Sequence, residues 1–164
     1  MNKKNRTNII GYGKDGIIVD NITCDEFTLK NGYVAKKFKK KMKFNHLLHN
    51  KLREIDPESK RYNWYILPPV HCNLKNIVFQ KKLKSIDLKK LTKQQYRYLR
   101  KSIEILHTNN ITHGDLPDNV MIDIQDEMPR IIDWEDAKLN SNDIEKHIDH
   151  YAFFTHFKVF KKNK

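Results

Sequence analysis

The first 83 residues alternate between short apolar runs and turn signals, a pattern that predicts β-strands. Thr7–Val19 carries two apolar runs on either side of three glycines, and it predicts a strand, a glycine turn and a second strand. Asn31-Gly32 predicts a hairpin, because both residue types tolerate a positive φ. Together with the later runs, the pattern predicts about five strands and one helix after the third. The later segments are Phe27–Leu29, Tyr33–Phe38, the helix Phe44–Ile55, Asn63–Leu67 and Asn76–Gln80.

Two longer helices are predicted in the rest of the chain. Thr92 can cap the first turn of one helix while Gln95 reaches back to complete a capping box. Leu99, Ile103 and Leu106 follow at helical spacing and are expected to pack in a core. The last helix is expected over residues 142–160. Its apolar residues are expected in the core: Ile144, Ile148, Tyr151, Phe154 and Phe157.

Length and composition indicate a folded protein with one compact domain or two small lobes. The chain has 164 residues, of which 38% are hydrophobic. No apolar run approaches the roughly 18 residues of a membrane span, and the polar N-terminus predicts no signal peptide. Cys24 and Cys72 stand alone, without the spacing of a metal site or a disulfide framework. They predict a reducing, intracellular and cytoplasmic location and no structural zinc.

The net charge of +12 is distributed unevenly along the chain. Residues 1–100 contain 24 Lys and Arg against 8 Asp and Glu, whereas residues 101–164 contain 8 against 12. The basic part would attract ATP, an acidic protein or nucleic acid. Lysine-rich runs such as residues 36–43 are also typical of an ordinary solvated surface, so charge alone does not choose among these partners.

Two carboxylates and one amide lie at the spacing of a phosphoryl-transfer centre. Ile111–Met121 contains Asp115 and Asn119, and Ile131–Glu135 contains Asp133. Phosphoryl transfer needs a carboxylate near the attacking hydroxyl and oxygen ligands that hold Mg²⁺ against the nucleotide phosphates. Asp115 suits the first role, and Asn119 with Asp133 suits the second.

These two segments resemble the catalytic and metal-binding loops of the protein-kinase-like superfamily. The motifs His-Gly-Asp and Ile-Asp-Trp-Glu most resemble those of its atypical branches. These branches are the aminoglycoside- and choline-kinase-like proteins and the Rio-like proteins. The small kinase subunit of the KEOPS assembly resembles this chain in its compactness. The resemblance implies an α+β, two-lobed protein-kinase-like fold. It implies a five-stranded N-lobe with one helix in residues 1–83 and a truncated, mainly helical C-lobe in residues 84–164.

The same resemblance implies ATP and Mg²⁺ as cofactors, with Asp115 as the catalytic carboxylate and Asn119 and Asp133 as metal ligands. Residue 119 follows residue 115 by four positions, whereas the family pattern has five. Glu135 stands where the Asp-Phe-Gly motif has glycine. Only about 30 residues follow Asp133, so no activation segment is expected.

The upstream half is consistent with the nucleotide-binding part of the family. Gly11, Gly13 and Gly16 lie between two strand-like runs, where the glycine loop of a kinase covers the phosphates. Glycine lets backbone amides approach phosphate oxygens without an intervening side chain. Ile18 then occupies the position of the apolar residue that caps the adenine.

Val34-Ala35-Lys36-Lys37 resembles the Val-Ala-x-Lys strand of the family. The resemblance implies Ala35 at the border of the adenine pocket and Lys37 as the ligand of the α- and β-phosphates. Glu54, on the predicted helix, is the expected carboxylate partner of Lys37, with Glu58 as the alternative.

The predicted activity is ATP- and Mg²⁺-dependent phosphoryl transfer to a hydroxyl, as in a minimal protein serine/threonine kinase. A protein acceptor is preferred because the short second lobe leaves too little chain to enclose a small substrate. The alternatives are a small-molecule kinase of the aminoglycoside or choline type, and a pseudokinase or basic adaptor without turnover. A further alternative uses the basic half as an RNA- or DNA-binding surface.

Overall fold

The computed structural model describes residues 8–13, 15–20, 22–24, 27–40 and 44–156, and the chain divides into two compact units. The first unit comprises the described residues up to His46 together with Tyr65–Lys82. The second comprises Leu47–Trp64 and the described residues from Leu83 onward. The predicted lobes divide the chain once, at residue 83, whereas this division also assigns residues 47–64 to the second unit.

The architecture is mixed α+β, with three α-helices and antiparallel sheets in the described residues, which confirms the predicted class. The helices are α1 (His46–Ile55), α2 (Lys93–Thr108) and α3 (Asp143–His156). The strands are β1 (Asn8–Tyr12), β2 (Gly16–Asp20), β3 (Thr23–Cys24), β4 (Phe27–Thr28), β5 (Tyr33–Phe38), β6 (Ile77–Lys81), β7 (Leu83–Lys84), β8 (Ile111–Thr112), β9 (Val120–Asp123), β10 (Pro129–Ile131) and β11 (Lys138–Leu139).

The first unit is built on a four-stranded antiparallel sheet in the order β1-β2-β5-β6. Its buried cluster consists of Val19, Ile22, Ala35, Ile77 and Phe79. The predicted strand over residues 63–67 appears as a single bridge between the backbones of residues 66 and 79. Two prolines follow directly, and proline cannot donate to a ladder, so pairing ends there.

The two cysteines are joined in the first unit, so the prediction that they stand alone is wrong. Cys24 ends β3, and Cys72 ends a short 3-10 helix, Val70–Cys72. The two form a disulfide with a Cα–Cα distance of 5.4 Å. They are 48 positions apart, so only the tertiary fold, and no local spacing, brings them together.

The second unit packs α2 beside two small sheets, one in the order β10-β9-β7 and one formed by β11 and β8. The predicted capping box is confirmed: the Gln95 amide N–H donates to Thr92 Oγ1 at 3.1 Å, and the Thr92 N–H donates to Gln95 Oε1 at 2.9 Å. The predicted core residues of α2 are also confirmed, since all three are buried: Leu99, Ile103 and Leu106.

The last helix begins as expected, but the face that it buries differs from the predicted one. Asn142 Oδ1 accepts the Glu145 N–H at 2.9 Å at its start. The predicted core positions Ile144, Ile148 and Tyr151 are wrong, because these side chains are 73%, 62% and 63% exposed. The side chains that are buried include Asp149 and Phe153, while Phe154 is half-buried and Phe157 lies outside the described residues. Among the described residues, no helix is both long and apolar enough to cross a membrane.

Candidate active site

His113 is the first residue of the loop that follows β8. Its imidazole is fully buried and lies 4.9 Å from the Trp134 ring. His113 Nε2 lies 2.7 Å from the Ile132 carbonyl oxygen, and the Asp115 N–H donates to His113 Nδ1 at 3.3 Å. A carbonyl only accepts, so Nε2 carries the proton and Nδ1 does not. Burial lowers the pKa of His113 below its ordinary value, which favours this neutral form.

Asp115 and Asn119 are joined directly within this loop. Asn119 Nδ2 donates to Asp115 Oδ2 at 2.7 Å and to the Asp115 carbonyl oxygen at 2.9 Å. The structure therefore brings together the predicted catalytic carboxylate and one predicted metal ligand, although the segment between them is one residue shorter than in the family pattern. Both bonds use Nδ2, so they leave Asn119 Oδ1 as an acceptor.

Asp133 directly follows Ile132, whose backbone is hydrogen-bonded to the same loop. The Ile132 N–H donates to the Asn119 carbonyl at 3.0 Å, while the Ile132 carbonyl accepts from His113. Asp133 is half-buried and has a φ of 65°, in the left-handed region. That conformation costs non-glycine residues about 1–3 kcal/mol and is concentrated at functional sites. Asp tolerates it better than most residues.

Gly114 is required where it stands. Its φ is +84°, and a Cβ at this position would lie 2.7 Å from the Asp136 carbonyl oxygen. Any other residue would therefore need both the left-handed backbone and a shift of the neighbouring chain. The glycine of His-Gly-Asp fixes the course of the loop between His113 and Asp115.

Asp149 of α3 anchors the loop from the other side. Its carboxylate accepts the backbone N–H groups of His113 and Gly114, each at 3.0 Å, and lies 3.0 Å from His107 Nε2. Burial alone would raise the pKa of Asp149. The hydrogen bonds from His107 and the two amides outweigh it and hold that pKa below its ordinary value.

Sequence reasoning missed Asp149, because the apolar residues of its helix predict a different buried face. The signal that could have identified it is the spacing of Asp149 and Phe153, which places a carboxylate one turn before a fully buried ring.

The predicted glycine loop connects β1 and β2 as expected. The Gly13 N–H donates to the Gly16 carbonyl at 2.9 Å, which closes the turn. At Gly16 a Cβ would lie 2.5 Å from the Lys37 carbonyl oxygen, so the close approach of β2 to β5 requires glycine there. Gly11 pairs with Ile18 across the two strands, beyond a register shift between Ile9 and Gly11.

The register of β2 and β5 separates the remaining nucleotide candidates into two sets. Ile18 is opposite Lys36, and Val19 is opposite Ala35. Directly opposed residues project from the same face of a sheet, and successive residues alternate. Ile18 therefore shares a face with Lys36, whereas Ala35 and Lys37 share the other face. Ala35 is fully buried in the apolar cluster of the first unit.

The two neighbouring lysines of β5 lie in different surroundings. The Lys36 side chain is buried, and its Nζ donates to the Tyr65 hydroxyl at 3.3 Å. The same Nζ lies 4.9 Å from the centroid of the Phe38 ring, within the range of a cation–π interaction. Lys37 is exposed. The burial of Lys36 could not be predicted from the sequence, because alternation along one strand does not tell which face meets the core.

Both acidic candidates, Glu54 in α1 and Glu58 in the segment after it, are exposed. The Glu54 carboxylate accepts from Lys51 Nζ at 3.0 Å, on the side of the helix away from the buried Leu48 and Leu52. Glu58 Oε2 lies 2.6 Å from Lys60 Nζ. Glu54 belongs to the second unit and Lys37 to the first, and the pairing of these two residues stays a prediction.

Comparison with known proteins assigns the chain to no family. No protein-family model matches the chain, and no curated protein matches it. The chemistry of the site follows from its donors, acceptors and charges.

Proposed function

We propose that the chain is an ATP- and Mg²⁺-dependent phosphotransferase that transfers the γ-phosphate of ATP to a hydroxyl group. The observation that carries this proposal is the direct bond between Asn119 Nδ2 and Asp115 Oδ2 in a loop that His113 and Asp149 hold from both sides. The chemistry needs little beyond positioned oxygen atoms and charge, and this arrangement supplies both.

In the proposed reaction, Asp115 orients the acceptor hydroxyl and receives its proton. The acceptor oxygen forms a bond to the γ-phosphorus while the bond from that phosphorus to the β,γ-bridging oxygen breaks, and ADP leaves. Asp115 is exposed, so an acceptor can reach it. The fixed hydrogen bond from Asn119 holds its carboxylate in one orientation before the acceptor arrives.

Asn119 and Asp133 are the proposed ligands of Mg²⁺. An amide oxygen and a carboxylate are the hard donors that this ion prefers, and the Ile132–Asn119 backbone bond ties the two ligand-bearing segments together. When bound, Mg²⁺ would neutralise charge on the nucleotide phosphates.

For the nucleotide, we propose contact with the amides of Gly11, Gly13 and Gly16 and with Ile18. If Ile18 caps the adenine, then the lysine on the same face is Lys36 and not Lys37. The burial of Ala35 in the core cluster supports the same choice, because it leaves that residue little room to border a ligand. Lys37, paired with Glu54, is the competing assignment.

For the acceptor, we propose a Ser or Thr hydroxyl on a protein, because the exposed carboxylate of Asp115 can be reached by the surface of a macromolecule. The proposed location is intracellular and cytoplasmic, where ATP is available as the phosphoryl donor.

The basic part of the chain is the proposed contact surface for an acidic protein or nucleic acid. Binding that does not weaken with added salt would contradict that contact.

The activity is tested by transfer from labelled ATP with Mg²⁺, using the chain itself and acidic and basic carrier proteins as acceptors. Asp115→Asn and the double variant Asp115→Asn/Asp133→Asn should lower transfer by at least about 10²-fold, the loss typical of one electrostatic group in an active site. Asp118→Asn is the matched control, because Asp118 is an exposed carboxylate of the same loop.

Equal transfer by wild type and the double variant would overturn the proposal. Transfer only to an aminoglycoside or amino alcohol would instead identify a small-molecule kinase. Nucleotide binding without any transfer would identify a pseudokinase or adaptor.

A further inference from the structure

Cys24, His71 and Cys72 form a compact group of soft donor atoms in the first unit. One sulfur or nitrogen atom of each residue lies within 4.8 Å of the others. The donors come from two separate segments, the end of β3 and the 3-10 helix Val70–Cys72. A disulfide needs only the two sulfurs, so the imidazole beside them is a donor that the disulfide does not explain.

We propose that these three residues form a zinc site when the disulfide is reduced, with two thiolates, one imidazole and an open fourth position. Thiolate and imidazole are the ligands that select Zn²⁺ among common divalent ions. Cys72 is buried, Cys24 is half-buried and His71 is exposed, so the group lies at the surface with one side open to solvent. That exposure suits a fourth ligand from water or from a bound molecule.

The local backbone presents the donors in a fixed arrangement. The Cys72 N–H donates to the Pro69 carbonyl at 2.9 Å, which closes the 3-10 turn that carries both His71 and Cys72. Asn73 follows with a φ of 41° and turns the chain away. The Cα atoms of the two cysteines are 5.4 Å apart, so small side-chain rotations are enough to move the sulfurs from a bonded pair to two ligands.

The two states exclude each other and interconvert by thiol chemistry. A dithiol reductant gives two electrons and two protons to the Cys24–Cys72 bond and itself becomes a disulfide. Binding of Zn²⁺ then releases the two thiol protons. Disulfides in a reducing compartment are transient, so the metal-bound form is the one expected wherever cellular thiols keep cysteines reduced. In either state the β3–β4 hairpin stays tied to the turn after Pro69.

The test uses the full chain, reduced with a phosphine and titrated with Co²⁺ as a spectroscopic substitute for Zn²⁺. We expect one Co²⁺ per chain, with a thiolate-to-cobalt charge-transfer band and the strong visible bands of a tetrahedral site, and we expect one equivalent of Zn²⁺ to remove both. The oxidised chain should show neither. Cys72→Ser should abolish the charge-transfer band.

His71→Asn is the decisive variant, because it removes an exposed side chain and leaves both thiols. It should weaken the affinity for Zn²⁺, measured by competition with a chromophoric chelator, by more than about tenfold, since even outer partners of metal ligands have effects of that size. His46→Asn, at an exposed histidine of the same unit outside the group, should bind as wild type does.

Two reactive thiols in the reduced chain without any cobalt spectrum would identify a plain disulfide and overturn the proposal. Unchanged zinc affinity in His71→Asn would do the same, whether or not Cys72→Ser folds. The readouts are spectroscopic and involve no phosphoryl transfer, so the zinc site and the proposed activity can fail independently.

Discussion

The carboxylate of Asp149 accepts the backbone N–H of His113 at 3.0 Å, and in this way α3 holds the loop that carries Asp115. The same carboxylate accepts the N–H of Gly114 and pairs with His107. A charged acceptor that serves three donors in a buried position is difficult to replace, because its removal leaves several polar groups without partners.

We therefore expect Asp149→Asn to lower the free energy of unfolding by at least about 1.5–3 kcal/mol, the range for hydrogen bonds to a charged group. Phosphoryl transfer should fall with it. Urea unfolding followed by circular dichroism measures the first effect. Asp143→Asn is the control, since Asp143 is fully exposed at the start of the same helix, and its replacement should leave the free energy of unfolding almost unchanged. Similar effects for the two variants would contradict the anchoring role.

Gly114 and Gly32 form a matched pair for testing the loop geometry. Their φ angles are +84° and +86°, respectively, but only Gly114 has neighbouring atoms close to the position of a Cβ. Alanine at either position carries the penalty of a left-handed residue, about 1–2 kcal/mol. Gly114→Ala should destabilise by a further 1–3 kcal/mol or so, typical of overpacking, because of the Asp136 carbonyl. Equal urea midpoints for the two variants would show that the loop shifts freely.

The neutral state of His113 predicts a loss of stability in mild acid. Burial lowers the pKa of His113 below its ordinary value of 6.5, so the unfolded chain takes up the proton first as the pH falls. The stabilisation is complete above pH 6.5 and is lost as the pH falls through the lowered pKa of the folded state, with a slope of up to about 1.4 kcal/mol per pH unit. Asp149, with its pKa below the ordinary 3.8, stays ionised through most of this window.

The measurement is the free energy of unfolding between pH 8 and about pH 5. His113→Gln should flatten the profile without removing all of its slope, because partial burial also lowers the pKa of His150. An identical slope in wild type and His113→Gln would rule out His113 as the cause.

The register of β5 predicts different roles for adjacent lysines. Lys36→Met should reduce kcat/KM for ATP by on the order of 10²-fold, because it removes the charge that shares a face with Ile18. Lys37→Met should keep most of the activity. Methionine preserves the length of the apolar stem, and thermal unfolding checks that both variants fold. The reverse order of effects would return the role to Lys37 with Glu54.

The sequence predicts those features that are local. The Thr92–Gln95 capping box needs four consecutive residues, and the Asp115–Asn119 pair lies within one loop, so both could be read directly from the chain. Asp149, the Cys24–Cys72 pair and the face of Lys36 depend on partners far away in the sequence. Their positions follow from strand register and helix packing, which no periodicity of a single segment determines.

Asp149, which anchors the loop around Asp115, lies 36 positions downstream of His113. A ribosome synthesises the chain from the N-terminus, so the glycine loop, α2 and the whole of the loop around Asp115 emerge before α3 does. Until α3 emerges, the amides of His113 and Gly114 have no carboxylate to meet. The loop around Asp115 is therefore expected to acquire the geometry described above only after α3 has been synthesised.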